Sequence, residues 1–195
     1  MNNKFINIVL LLILILAACK HDYTPKPRGF MKLEYPAKIY RSFDATAPFT
    51  FDYPEYAEVM PDTSTNAEKF WYNIEFPSFN GTIYLSYKNI NNNLGQYIED
   101  SRILAYKHSI KAEAIEERLI SRPENSVYGL LYDLTGNTAS SLQFYVTDSV
   151  THFLRGSLYF NTTPQKDSLA PVVRFIREDV LHMIETLQWN DEVTI

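Results

Sequence analysis

From Tyr128 to Phe160 the chain reads YGLLYDLTGNTASSLQFYVTDSVTHFLRGSLYF, and apolar side chains fall on every second position. Tyr128, Leu130, Tyr132 and Leu134 share one parity. Leu142, Phe144 and Val146 alternate with Ser141, Gln143, Tyr145 and Thr147, and Leu154, Gly156, Leu158 and Phe160 alternate with Phe153, Arg155, Ser157 and Tyr159. Successive side chains of a strand point to opposite faces, so this period of two predicts three half-buried strands. Gly136-Asn137 suits a tight turn because both residues tolerate positive φ. Asp148-Ser149 falls where the next two runs reverse. Strands joined by such short turns must run antiparallel.

The rest of the chain supplies partners for that meander. PFTFDY (48–53) alternates Phe49 and Phe51 against Thr50 and Asp52 and reads as a short strand ended by Pro54. Tyr72, Ile74 and Phe76 share a face, as do Ile83, Leu85 and Tyr87, and the intervening Pro-Ser-Phe-Asn-Gly predicts an antiparallel pair. A long helix is expected from Asn93, with Gln96 completing a capping box. Its stripe of Leu94, Ile98, Ser101, Ala105, His108, Ala112, Ile115 and Leu119 runs to about Ile120, with a break near 107–109 and a stop at Pro123. Ser168 then caps a last helix with Pro171 in its first turn and a stripe from Leu169 to Leu187. The expected class is α+β: an antiparallel sheet with a long central helix and a C-terminal helix packed on it, in an order like that of the PsbP-like fold.

The amino end has a different character. Lys4 precedes an apolar run from Phe5 to Leu16, and Leu16-Ala17-Ala18 leads into Cys19, the single cysteine of the chain. A basic start, a short apolar stretch and small residues before a cleavage point describe a secretory signal. The run is shorter than the roughly 20 apolar residues of a membrane span. Leu-Ala-Ala-Cys resembles the bacterial lipobox, in which the cysteine is acylated and becomes the first mature residue. Residues 1–18 are therefore expected to be a signal peptide. Residues 19–38, basic through Lys20, Lys26, Arg28, Lys32 and Lys38 and stiffened by Pro25, Pro27 and Pro36, read as a lipidated tether. A single domain is expected over 39–195. The net charge of −5 gives no electrostatic footprint for phosphate backbones, which excludes nucleic acid as a partner.

Polar residues of the hairpins and helices are the candidates for function. Asp148, Ser149, His152 and Arg155 lie within eight positions, but short Asp and Ser side chains at a reversal bond their own backbone. No nucleophile is oriented by a base there, so the hairpin reading is preferred. His108 lies on the apolar stripe of its helix, as a core histidine bonded to a carbonyl or Tyr, or as a buried ligand or base. His21, His108, His152 and His182 are scattered, and no zinc pair, nucleophile elbow, phosphate loop or dinucleotide fingerprint occurs. No metal, cofactor or catalytic residue is assigned.

Several stretches together resemble the gliding-motility lipoproteins of the GldD family of Bacteroidota. They are YTPKPRGF (23–30), PFTFDYP (48–54), WYNIEFPSFNGTIYLSYK (71–88), YIEDSRILAYKHSIKAEAI (97–115), residues 128–160 and DSLAPVVRFIREDV (167–180). The resemblance implies a cell-envelope component needed for gliding and working beside the type IX secretion machinery, with no assigned chemistry. It leads to the expectation of a docking subunit, lipid-anchored through Cys19, whose domain is periplasmic and contacts envelope proteins. The docking patch would be Tyr145, Phe153, Arg155 and Tyr159 on the outer sheet face, unless a helix covers that face. The alternative is a glycan- or lipid-binding module or hydrolase with His108, Asp148, His152 and Arg155 converging on one pocket.

Overall fold

The computed structural model describes residues 34–43, 46–163 and 166–193, without the side chain of Lys166. The signal segment, Cys19 and the tether through residue 33 lie outside the described residues. Strands β1 (Tyr40–Ser42), β2 (Phe49–Thr50), β3 (Asp52–Pro54), β4 (Glu58–Pro61), β5 (Tyr72–Phe76) and β6 (Gly81–Asn89) come first. Helix α1 (Leu94–Tyr106) follows, then β7 (Ala112–Arg122), β8 (Val127–Gly136), β9 (Ser140–Thr147) and β10 (His152–Phe160). Helix α2 (Lys166–Thr186) and the short β11 (Gln188–Trp189) end the fold.

The main sheet has seven strands in the order β4-β5-β6-β10-β9-β8-β7, every neighbouring pair antiparallel. It consists of two meanders, β4 to β6 and β7 to β10, joined along β6 and β10 with α1 in the connection. Hairpins β5–β6 and β7–β8 use the same turn. A 3₁₀ turn opened by proline, Pro77–Phe79 or Pro123–Asn125, ends on a left-handed residue, Asn80 at φ 49° or Ser126 at φ 52°. β1 pairs with β3 and β2 with β11, so PFTFDY is split at Phe51 between two ribbons.

The expected α+β architecture is present, but the central helix is shorter than its stripe predicts. Helix α1 stops at Tyr106, and Ala112–Arg122 is an edge strand paired with β8 from Ala112↔Gly136 to Arg122↔Val127. Ala, Glu, Leu and Arg favour helix intrinsically, but β8 offers an open row of backbone groups and tertiary pairing overrides the local preference. In a helix, Glu113, Glu116 and Glu117 would also stack like charges at three- and four-residue spacing. Pro123 thus opens a hairpin turn and does not stop a helix. The expected capping box is not formed, because Asn93 Oδ1 accepts the backbone N–H of Asn91 at 2.8 Å and makes no bond to the helix start.

One sheet face packs on α2. Ile74, Phe76, Ile83, Leu85, Leu131, Leu142, Phe144, Val146, Leu154 and Leu158 meet Val172, Ile176, Val180, Met183, Ile184 and Leu187 in one core. Gly156 is needed there: a Cβ on it would lie 2.2 Å from the Phe144 ring, its partner across the strands. The other face packs a smaller cluster, Tyr132, Leu134, Tyr145 and Phe153 with Ile90 and Ala105, under α1.

The entry segment is fixed to α2 by a buried carboxylate. Asp179 receives the Lys38 ammonium at 2.8 Å, the Tyr40 hydroxyl at 2.9 Å and the Tyr56 hydroxyl at 2.5 Å. Burial, then those bonds and the Asp179 charge, hold both tyrosine hydroxyls well above their ordinary pKa. Lys38 also lies 3.8 Å over the Phe175 ring, and Tyr35 stacks on that ring at 4.4 Å. Lys38 is therefore a structural cation of the folded body.

Candidate functional site

Strand β10 carries His152 and Arg155, and its alternation separates them. At its start, Asp148 Oδ1 accepts the backbone N–H groups of Val150, Thr151 and His152 at 3.0, 2.9 and 2.8 Å. Thr147 Oγ1 accepts the N–H of Ser149, which sits at φ 71°. Asp148 and Ser149 build the hairpin from their own backbone, the arrangement that short polar side chains favour at a reversal.

His152 follows with its side chain buried on the α2 face. Its Nδ1 lies 2.7 Å from the Tyr87 hydroxyl, its Nε2 lies 2.8 Å from Asp191 Oδ1, and its ring stacks on Trp189 at 5.0 Å. Burial, followed by the charges of Asp148 and Asp191, pushes the Tyr87 hydroxyl up to about 12. The Asp191 carboxylate can only accept, so Nε2 donates to it, and Nδ1 pairs with the Tyr87 hydroxyl. A Tyr whose ionisation is suppressed is a poor nucleophile. What the chain Tyr87–His152–Asp191 does well is hold β11 against β6 and β10.

The other parity of β10 faces α1. Arg155 is partly buried, its Nη2 donating to Gln143 Oε1 at 2.6 Å. Burial pulls the guanidinium below its ordinary pKa, and no carboxylate is among the groups that act on it. Among the described residues Arg155 makes no ion pair. Gln143 and Ser157, both buried on β9 and β10, pair across the strands, and Gln143 Nε2 and Ser157 Oγ have no hydrogen-bond partner. His108 lies in the turn after α1, its ring 6.3 Å from Tyr159. Burial and then the Arg155 charge lower its pKa, so it is held as the neutral imidazole.

Two rows of side chains cross this face. Register sets Arg155 beside Ser86 of β6, and sets Ser157 beside Tyr84, with Asn73 of β5 next to Tyr84. α1 covers only the β8–β10 side of the face, so a cleft of about 460 Å³ opens between the helix and β6, with Trp71 at its rim. Trp71, Tyr84, Tyr97, Ser86, Asp100 and Arg155 line it, and Tyr84 is 46% exposed. Lys88 at its wall is already paired with Glu68 and lies 5.3 Å over the Trp71 ring.

His108, Arg155 and Tyr159 thus come together, while Asp148 and His152 stand on the opposite side, about 23 Å along the strand from Tyr159 at roughly 3.3 Å per residue. One pocket joining His108 and His152 is not formed, because their surroundings belong to opposite parities of β10. The aromatic–Arg patch is not an open face either. Phe153 is 3% exposed and Tyr145 is 9% exposed, Tyr97 of α1 lies over Phe153, and the helix supplies the cover. Sequence reasoning missed Tyr87, Asp191 and the Asp179 knot, whose partners lie far apart in the chain. Gln143 had a visible signal, a long amide inside an otherwise apolar strand.

Among the described residues no cluster of His, Cys, Asp and Glu could hold a metal ion. Nor is any helix there long and apolar enough to cross a membrane.

The family model described as gliding motility lipoprotein GldD matches residues 20–189. The chain belongs to that family. Membership places it with the lipoproteins of the cell envelope that serve gliding motility. No curated protein matches it. Among solved structures, it is similar to the solution structure of cyanobacterial PsbP (CyanoP) from Synechocystis sp. PCC 6803, at 12% identity and a TM-score of 0.47. The similarity covers 79% of this chain and 94% of that one.

Proposed function

We propose that this gliding-motility lipoprotein is a non-enzymatic docking subunit. Acyl chains on Cys19 hold it to a membrane, its domain stands in the periplasm, and it supports the gliding and type IX secretion machinery through protein–protein contacts. The observation that carries the reading is β7, an eleven-residue strand at the edge of the main sheet with no strand paired to its outer side among the described residues. Natural proteins usually shorten or cover such edges, because they template pairing with another chain. Exposed apolar side chains flank it at both ends: Leu119 on β7 is 77% exposed, and Ile110 in the preceding turn is 93% exposed. Ile103 and Tyr106 of α1 extend that strip, and the Tyr106 hydroxyl donates to Glu117 of β7 at 2.9 Å. The partner would add an extended segment to the β7 edge and lay apolar side chains on the strip, the strand-addition mode of recognition.

The test is in-cell crosslinking of the tagged full-length lipoprotein, followed by quantification of the gliding and type IX secretion components recovered with it. Leu119→Glu with Ile110→Glu introduces charge into the strip without touching a buried group. Recovery reduced about tenfold or more, with loss of gliding, is expected, since burying an unpaired charge at an interface costs several kcal/mol. Unchanged recovery and unchanged gliding would overturn the reading.

A further inference from the structure

The cleft beside α1 has features that a docking edge does not require. Its volume of about 460 Å³ lies within the roughly 300–1,000 Å³ of small-molecule sites. Four aromatic side chains line it: Trp71 just before β5, Tyr84 on β6, Tyr97 on α1 and Phe153 on β10. Arg155 lines the same cleft as a cation drawn partly out of water, with the Gln143 amide oxygen as its acceptor and no ion pair among the described residues. Removing a cation from water without a counter-charge is costly, so a site that retains one is matched to an anion. Directly beside it, the amide nitrogen of Gln143 and the hydroxyl of Ser157 are buried without partners.

We infer that this cleft binds a saccharide bearing a single carboxylate, with the acid group on Arg155 and the ring stacked on Tyr84. The aromatic walls suit the C–H faces of a sugar ring, and Ser86, Ser101 and Asp100 at the cleft suit its hydroxyls. Asp62 and Asp100 line the same cleft and repel further negative charge, which restricts the ligand to one acid group and disfavours a polyanion. Lys88 does not compete for the carboxylate, because Glu68 already holds it. His108, held neutral, adds no second cation near Arg155. The site goes beyond the docking reading, since none of these residues lies on the β7 strip.

The experiment is calorimetric titration of the full-length lipoprotein in detergent micelles with N-acetylmuramic acid, N-acetylglucosamine and inorganic phosphate. The two sugars differ by the lactyl carboxylate, so their comparison isolates the contact to Arg155. N-acetylmuramic acid is expected to bind with a Kd of about 1 mM or tighter, and N-acetylglucosamine about tenfold more weakly. Arg155→Met and Tyr84→Ala should each weaken the acidic sugar about tenfold and leave the far-ultraviolet circular dichroism unchanged. Should Arg155→Met fail to fold, the two-sugar comparison and Tyr84→Ala still decide. Equal binding of both sugars, absence of heat with all three compounds, or phosphate binding as tightly as the acidic sugar would each overturn the inference. The Leu119→Glu, Ile110→Glu variant should bind the sugar normally, so failure of the docking reading and failure of this one are separable.

Discussion

The two faces of the main sheet are built from the same strands and solve different problems. Along β10, Leu154, Gly156 and Leu158 enter the core under α2, while Phe153, Arg155, Ser157 and Tyr159 point toward α1. The α2 face is continuous and packed closely enough that Gly156 admits no Cβ beside Phe144. The α1 face mixes aromatic rings with a buried amide, a hydroxyl and a guanidinium, and the helix leaves part of it open. Stability is therefore concentrated on one face, and the other is released to carry polar groups that a core optimised for packing would exclude.

The largest expected effect tests the first half of that contrast. Phe144→Ala removes a fully buried ring and leaves a cavity that the strands cannot collapse, at a cost of about 3–5 kcal/mol. Urea unfolding followed by circular dichroism measures it as a fall in midpoint at constant slope. A cost below about 1 kcal/mol would mean that the α2 face is loosely packed and that the contrast is wrong.

Next in size is the histidine chain that closes the same core at its end. Tyr87→Phe removes the hydrogen-bond partner of His152 Nδ1 and leaves that nitrogen buried and unpaired, costing about 1–3 kcal/mol. Amide exchange should report the loss first around β11, which that chain holds in place.

The tyrosines also give this structure a pH signature. Tyr87 and Tyr132 are both pushed up from the ordinary 10.0 to about 12, chiefly by burial. A folded-state pKa above the unfolded one means the native state binds the proton more tightly. Their contribution is therefore complete below pH 10.0 and is lost as pH rises from 10.0 to about 12. Urea midpoints should stay level as pH approaches 10.0 on this account and then fall, and the fall should be smaller in Tyr87→Phe.

The period-two segments made most of the sheet legible, because β5, β6 and β8 to β10 alternate cleanly and their turns carry Pro, Asn, Gly or Asp-Ser. β7 was not legible. Its residues are strong helix formers with apolar side chains at helical spacing, and only the open edge of β8 makes them a strand. The Asp148 turn was legible because its bonds are local, made within four residues. Asp179 with Lys38, and His152 with Asp191, join positions 141 and 39 apart, and spacing along the chain carries no sign of them. The cleft was half legible: Arg155 stood out as a charge in an apolar strand, but its walls come from Trp71, β6 and α1 and needed the fold to assemble them.

The smallest expected stability effect bears most directly on why the α1 face is polar. Replacing Arg155 and Gln143 together by Leu removes the guanidinium and its amide partner at once, so no buried donor or acceptor of the pair is orphaned. Exchanging buried polar pairs for apolar residues of similar volume is commonly neutral or stabilising. The double variant should therefore unfold within about 1 kcal/mol of the parent, on either side. Single replacement of Arg155 strands Gln143 Oε1 and should cost more than the pair, a coupling that a double-mutant cycle measures. If the double change instead costs about 3 kcal/mol or more, these residues belong to the architecture in the same sense as Phe144. If it costs nothing while sugar binding disappears, the polar groups of this face are retained for a ligand, and the division of labour between the two faces stands.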